Sequence, residues 1–313
     1  MRAISNLKLY FSNQYKSFKR SRFLLLIMLP GIIYYIIFHY VPMYGLIIAF
    51  KDFNIYDGII NSPWTSNYGF KHFLELFNLP IFYRILKNTV LLSLYTILFS
   101  FPTPIILALC LNEAKNKLWK NTVQTVSYLP HFISTVVICG MITNFLSLNG
   151  LVNNIVSFFG LERIQFLLYP KYFRTIFVIS EIWQQTGWNS ILYMAALSQV
   201  NPELYEACRI DGANRFQQIL YINIPSIIPT AIILLIFKIG GIMNVGFEKV
   251  LLLYNPNIYE TADVIGTYVY RRGILGAEFS FSTAVGLFQS VIGFILVVIT
   301  NKIAGKVSEV SLW

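Results

Sequence analysis

Charge is what this sequence has least of. Asp, Glu, Lys and Arg make up 12% of its 313 residues, against roughly 25% in soluble domains. With 56% hydrophobic residues and a mean hydropathy of +0.61, too little polar surface remains to cover a water-soluble globule. Cysteine is scarce as well. Cys110, Cys139 and Cys208 show no metal-ligand spacing, so neither a disulfide frame nor a zinc site is indicated. No Gly-rich loop with Lys-Ser/Thr is present to hold nucleotide phosphates, and no polar stretch is large enough for an ATPase domain. If ATP drives this protein, a partner hydrolyses it. A placed pair of carboxylates, as a glycosidase needs, is also missing from the apolar segments.

Long uncharged runs are what the chain does have. A helix needs about 20 mostly apolar residues to cross a bilayer. Phe23 to Phe50 holds no Asp, Glu, Lys or Arg, is too long for a signal-peptide core and lacks a small-residue cleavage pattern. It reads as span one, bent at Pro30 or Pro42. Span two is Asn88 to Asn112. Span three is about Val126 to Leu146, ended by the turn Ser147-Leu148-Asn149-Gly150. The remainder, Leu151 to Gly160, is too short to cross and is expected at the interface. Span four is about Thr175 to Val200, span five about Ile224 to Phe247 and span six Phe279 to Asn301. The expected fold class is thus an all-α polytopic membrane protein with six transmembrane helices.

The net charge of +10 does not point to nucleic acid, because the basic residues flank apolar runs. Arg2, Lys8, Lys16, Lys19, Arg20 and Arg22 precede span one with no acid among them. The loop after it mixes Lys51 and Lys71 with Asp52, Asp57 and Glu75. That contrast places the N-terminus in the cytoplasm, and six spans bring the C-terminus to the same side. The expected organisation is a basic segment over 1–22, a permease domain over 23–303 and a cytoplasmic tail over 304–313.

The stretch from Asn201 to Asn223 is then cytoplasmic. Asn201-Pro202 is a good helix start, and Glu203 favours the positive end of the helix dipole. Leu204, Ala207 and Cys208 share a face; Asp211-Gly212 breaks the helix; Phe216, Ile219 and Leu220 group on a second short helix, which Pro225 ends. An ordinary interfacial loop and a protein-docking knob both fit this pattern. Glu206-Ala207-Cys208, three residues, Gly212, nine residues, Ile222, one residue, Ile224 and Pro225 resemble the EAA motif of ABC-importer permeases. Cys208 replaces the motif's second Ala, and Ile224 its Leu. The resemblance implies the type I importer (MetI-like) permease fold, with 201–223 as coupling helices seated in an ATPase cleft. Glu206, Ala207, Asp211, Gly212, Ala213 and Phe216 would form that joint, with Gly212 permitting the sharp turn.

The resemblance covers nearly the whole chain and is nearest to the LplB-like subgroup of carbohydrate permeases. Leu29 to Phe53, Gly246 to Gly273, Phe281 to Phe294 and the terminal Ser311-Leu312-Trp313 carry it. It implies a bacterial plasma-membrane importer of oligosaccharides from complex polysaccharides or glycans. Its partners would be a second permease, two copies of an ABC ATPase using ATP and Mg, and an extracytoplasmic sugar-binding lipoprotein. The chain itself would carry no cofactor. A multipass membrane enzyme would need a catalytic constellation that is not found. An ion-coupled secondary transporter would have only Glu181 and Lys238 deep in its spans, and no clear internal repeat.

Span four places Glu181, Gln184, Gln185, Trp188 and Asn189 on one helical face. A polar stripe in hydrocarbon faces a bundle interior or a wet cavity. Polar contacts between helices and the wall of a sugar path are both open readings. Lys238 in span five is either an ion-pair partner of Glu181, a snorkelling cation, or a polar gate or contact for an acidic sugar. Asn244 lies beyond it, and Gly240 and Gly241 would allow a bend or close helix packing.

Overall fold

Proline sets the irregularities of the long helices. In the computed structural model, which describes residues 22–308 and 311–312, three helices pass through a π-helical stretch just before a proline. The stretches are Ile36–Tyr40, Thr96–Ser100 and Ile219–Asn223, and the prolines are Pro42, Pro102 and Pro225. A proline cannot donate to the carbonyl four residues back, and its ring collides with it. Here that carbonyl belongs to Phe38, Leu98 or Tyr221, the middle residue of each π stretch. Widening the turn there keeps the helix running.

The chain divides into two units, 1–71 and 72–313. In the first, α1 (Arg22–Tyr35) continues through the π turn to the 3-10 stretch Tyr44–Phe50. The following loop is tied by Lys51, whose ammonium donates to the Ile59 and Ile60 carbonyls, and by the Lys71–Asp52 pair at 2.7 Å.

The second unit is a helical bundle. Its helices are α2 (Lys71–Asn78), which starts on the last residue of the first unit, α3 (Phe82–Tyr95), α4 (Pro102–Glu113), α5 (Lys117–Tyr128), α6 (Thr135–Leu146), α7 (Leu151–Phe158), α8 (Pro170–Ser198), α9 (Pro202–Ile210), α10 (Ile224–Gly240), α11 (Phe247–Leu253) and α12 (Phe279–Ser308). The described residues form no strand; one isolated bridge joins Lys51 and Trp64. α8 is central and packs on α4, α5 and α10, while α12 packs on α10. Two close approaches need glycine. A Cβ on Gly187 would lie 2.0 Å from the Ser127 carbonyl oxygen, and one on Gly240 would lie 2.4 Å from Val297 Cγ2.

Among the described residues, five helices are long and apolar enough to cross a membrane: Phe23–Phe50, Phe82–Glu113, Thr135–Phe158, Arg215–Gly240 and Phe279–Lys306. The 29 residues of α8 are not among them, because Lys171, Arg174, Glu181 and several amides lower its hydropathy. Other boundaries move for local reasons. Span three begins at Thr135, not Val126, because Pro130 ends α5 in a 3-10 turn and Ser134 caps the new helix. Span five ends at Gly240, not Phe247, where the Gly240-Gly241 pair opens a turn. The second short helix expected within 201–223 is not a separate piece. Arg215–Gln218 runs through the π stretch into α10, so Pro225 is absorbed and does not terminate the segment. The turn at 147–150 does divide α6 from α7, with the Gly150 N–H bonded to the Ser147 carbonyl at 2.9 Å.

Candidate functional site: a cavity and an exposed knob

A cavity of about 350 Å³ lies against α3, α4, α8 and α10. Its walls include the π stretch before Pro102, through Thr96, Ile97 and Ser100, and the turn after α10, through Gly241, Asn244 and Gly246. π-bulges recur at functional sites because they re-aim side chains within a helix. Apolar walls come from Phe101, Phe177, Leu234 and Phe237. The turn is pinned by side chains from the bundle. Ser93 donates to the Ile242 carbonyl, and Gln289 donates to that of Met243 at 2.7 Å. Gly246 has φ +39 and sits on Phe177, where a Cβ would come within 2.4 Å of the ring.

The polar stripe of span four divides at this cavity. Glu181 and Asn189 line it, together with Lys238 and Asn244. The other three residues face elsewhere. Gln184 is buried in the bundle. Gln185 accepts from the His131 ring at 3.0 Å, and Trp188 stacks on that ring at 4.4 Å with the planes 3° apart. Those contacts join α8 to the 3-10 turn after α5, the helix-to-helix reading of the stripe. The expected Glu181–Lys238 pair is absent. Glu181 instead takes a hydrogen bond from Lys249 at 2.7 Å, with the Lys249 side chain only 5% exposed and its ammonium 5.6 Å from the Phe177 ring centre. No apolar run in the sequence is interrupted by Lys249, so it is not marked there as a site residue. Its place 68 residues along the chain from Glu181 leaves no local signal of the pairing. Ser93, Thr96, Ser100 and Tyr193 also line the cavity and were missed.

The stretch after α8 forms a knob. The Asn201 side chain accepts from the Glu203 N–H at 3.1 Å, and Pro202 occupies the first turn. Gly212 has φ +77, a conformation that costs other L-residues about 1–2 kcal/mol. A capping box at Asn214 and Gln217 then restarts the helix. Glu206, Ala207, Asp211, Gly212 and Phe216 are exposed, and Ala213 is half-buried. Ile210 at 87% and Phe216 at 72% leave apolar surface uncovered. The knob is braced from behind. Tyr205 donates to Asn223, which is fully buried and donates to Glu113 at 3.4 Å. Burial pushes the Tyr205 phenol up; the Asn112 hydrogen bond opposes this and the Glu113 charge adds to it, so the phenol stays a donor at neutral pH.

Residues 91–308 match the family described as binding-protein-dependent transport system inner membrane component. The chain belongs to this family. The permease is 43% identical over 295 residues to the polygalacturonan/rhamnogalacturonan transport system permease protein YteP of Bacillus subtilis, covering 94% of this chain and 91% of that one. It is 43% identical over 296 residues to protein LplB of the same organism, covering 94% and 92%. A crystal structure of a bacterial alginate ABC transporter, in complex with an alginate pentasaccharide-bound periplasmic protein, matches with a TM-score of 0.86 and 43% identity over 95% of this chain and 99% of that one. The permease is therefore a multipass membrane transport component of an ABC importer that works with a binding protein and a partner permease. It is a transport subunit without an ATPase site of its own, not an enzyme.

Between α10 and α12 the permease carries a segment that is firmly built. Asp263 is fully buried and receives two hydrogen bonds from Arg271, at 2.9 and 2.7 Å, and one from Thr267 at 2.8 Å. Burial alone would lower the Arg271 pKa, but Asp263 and Tyr254 more than reverse this and raise it. Asn88 of α3 donates to the Glu260 and Asp263 carbonyls, and Arg174 of α8 donates to Asn88 at 2.8 Å. Arg272 pairs with Glu75 and, at 2.7 Å, with Glu278. The segment is thereby tied to α2, α3 and α8.

Proposed function

We propose that this permease moves oligosaccharides, fragments of complex polysaccharides or glycans, into the bacterial cytoplasm by alternating access. The observation that carries the reading is the likeness to a polygalacturonan/rhamnogalacturonan permease over 94% of the chain. The cavity fits such a cargo in kind, since amides bond hydroxyls and aromatic walls pack against the apolar faces of sugar rings. An extracytoplasmic lipoprotein would deliver the cargo, and a second, homologous permease would complete the path. Six spans, α8 among them, would put both termini in the cytoplasm. Residues 201–223 would then face two copies of an ABC ATPase, whose ATP and Mg supply the work. Glu206, Ala207, Asp211, Gly212, Ala213 and Phe216 form the joint in this reading; Glu181, Gln184, Gln185, Trp188, Asn189, Lys238 and Asn244 mark the path, with the cavity-lining four touching cargo. An ion-coupled mechanism is less favoured because Glu181 is already neutralised by Lys249.

Gly212→Asp tests the coupling joint. A Cβ at Gly212 meets nothing within 4 Å, so the change strains the turn and adds charge without a clash. The variant should insert and assemble with its partners, while binding-protein-stimulated ATPase activity and uptake in proteoliposomes are lost. Normal uptake by the assembled variant would sink the joint.

A further inference from the structure

We infer that Asn223 and Glu113 tie α4 to the knob, so that a displacement of the knob reaches the cavity wall that α4 carries. The inference rests on the coupling joint proposed above and adds two positioning residues to it. The knob is joined unequally to the helices around the cavity. It follows α8 directly through Gln199 to Asn201, and its second short helix runs unbroken into α10. α4 has no such continuity with it. The start of α4 brings Phe101 and Pro104 to the cavity, and its last residue, Glu113, meets the knob through side chains. Asn223 donates to Glu113 at 3.4 Å and accepts from the Tyr205 hydroxyl of α9. Arg215, which opens the second short helix, lies 3.6 Å from the other Glu113 oxygen. Both halves of the knob thus converge on one carboxylate at the end of α4.

The stability of α4 itself does not account for that carboxylate. An acid in the last turn of a helix opposes the macrodipole. Asn223 has no exposed surface, and a buried amide must find its hydrogen bonds within the protein. Here it spends one on the knob and one on α4. Ala108 of α4 also clusters with Tyr193, Leu197 and Ile227 of α8 and α10. Apolar packing is not directional, and packed helices can slide on one another. Directional bonds at Glu113 fix where α4 stands along its axis. The EAA-like pattern marks neither residue: Asn223 fills the position it leaves open between Ile222 and Ile224, and Glu113 lies outside it.

The test uses the assembled transporter: this permease, with a cysteine-free partner permease, ATPase and binding protein. Cys139→Ala and Cys208→Ala leave Cys110, exposed on α4 about one turn before Glu113, to carry a spin label. The label's line shape is compared between the nucleotide-free complex and the complex trapped with ATP and vanadate. This parent should change on trapping. Asn223→Asp keeps the Tyr205 bond but sets carboxylate against carboxylate, and should abolish the change while the complex still hydrolyses ATP. Adding Glu113→Gln supplies a donor opposite the new carboxylate, so the change should return, a rescue that a merely structural role would not give. Glu113→Ala buries no charge and should also abolish the change; it decides the matter if Asn223→Asp does not assemble. No change in the parent, a change kept in Glu113→Ala, or no return on adding Glu113→Gln to an assembled Asn223→Asp overturns the tether. Gly212→Asp separates the tether from the joint. A change that survives Gly212→Asp removes the joint and this inference with it. A change lost in Gly212→Asp but kept in Glu113→Ala removes the tether alone.

Discussion

At the scale of single residues, the permease stakes most on charges that water cannot reach. Asp263 has no exposed surface, and Arg271 is its counter-charge. Removing one partner of such a pair leaves an uncompensated buried charge, at a cost of about 3–5 kcal/mol. Arg271→Ala should therefore destabilise the detergent-purified permease by an amount in that range, seen as a lowered midpoint of thermal unfolding. Asp263→Asn with Arg271→Ala together should recover part of the loss, because the stranded charge is gone. If Arg271→Ala unfolds at the wild-type midpoint, the pair is not the fastener of the segment between α10 and α12. None of this was legible in the sequence. Nothing local in the sequence marks Asp263 and Arg271, because their burial depends on where Asn88 and Arg174 arrive from other helices. Lys249 was hidden for the same reason. Lys238 was visible because it interrupts an apolar run, which is a local signal.

At the scale of elements, the sequence showed where helices would bend but not how. Pro102 lies inside the expected second span, and Pro225 reads as the end of the knob and the opening of span five. In both cases the helix stays continuous by widening one turn. The widened turn at Thr96–Ser100 is also cavity wall, so Pro102 governs which side chains of that helix reach the cavity. Pro102→Ala restores an N–H donor and removes the ring clash with the Leu98 carbonyl. The stretch should relax toward α geometry, re-aiming Thr96, Ile97 and Ser100, with thermal stability kept or raised and uptake lowered. Uptake at the wild-type rate would mean the widened turn has no part in the cavity's work. The break before span three was readable in principle from Pro130 and Ser134, a breaker and a cap in close succession. The long uncharged stretch around them masked it, because hydropathy marks what can lie in a membrane and not where a helix is interrupted.

At the scale of the whole molecule, the open question of fold is whether α8 crosses the membrane. Its composition argues against crossing on hydropathy alone, which is why five spans stand out and not six. Its geometry argues for crossing. At about 1.5 Å per residue its 29 residues reach roughly 44 Å, beyond a hydrocarbon core of about 30 Å. Its polar groups are also matched inside the bundle: Glu181 by Lys249, Gln185 by His131 and Thr186 by Thr103 at 2.9 Å. A helix whose polar groups are satisfied by neighbours can cross where a lone one would not. Leu161 and Ile210 flank α8, and both are exposed, at 65% and 87%. With Cys110, Cys139 and Cys208 replaced, a cysteine at 161 should react with a membrane-impermeant maleimide added to intact cells. A cysteine at 210 should react only after permeabilisation, because the knob then faces the cytoplasm, as coupling to an ATPase requires. Labelling of both positions from the same side would leave α8 uncrossed and would put the knob and the 161 loop on one face, which no six-span arrangement allows.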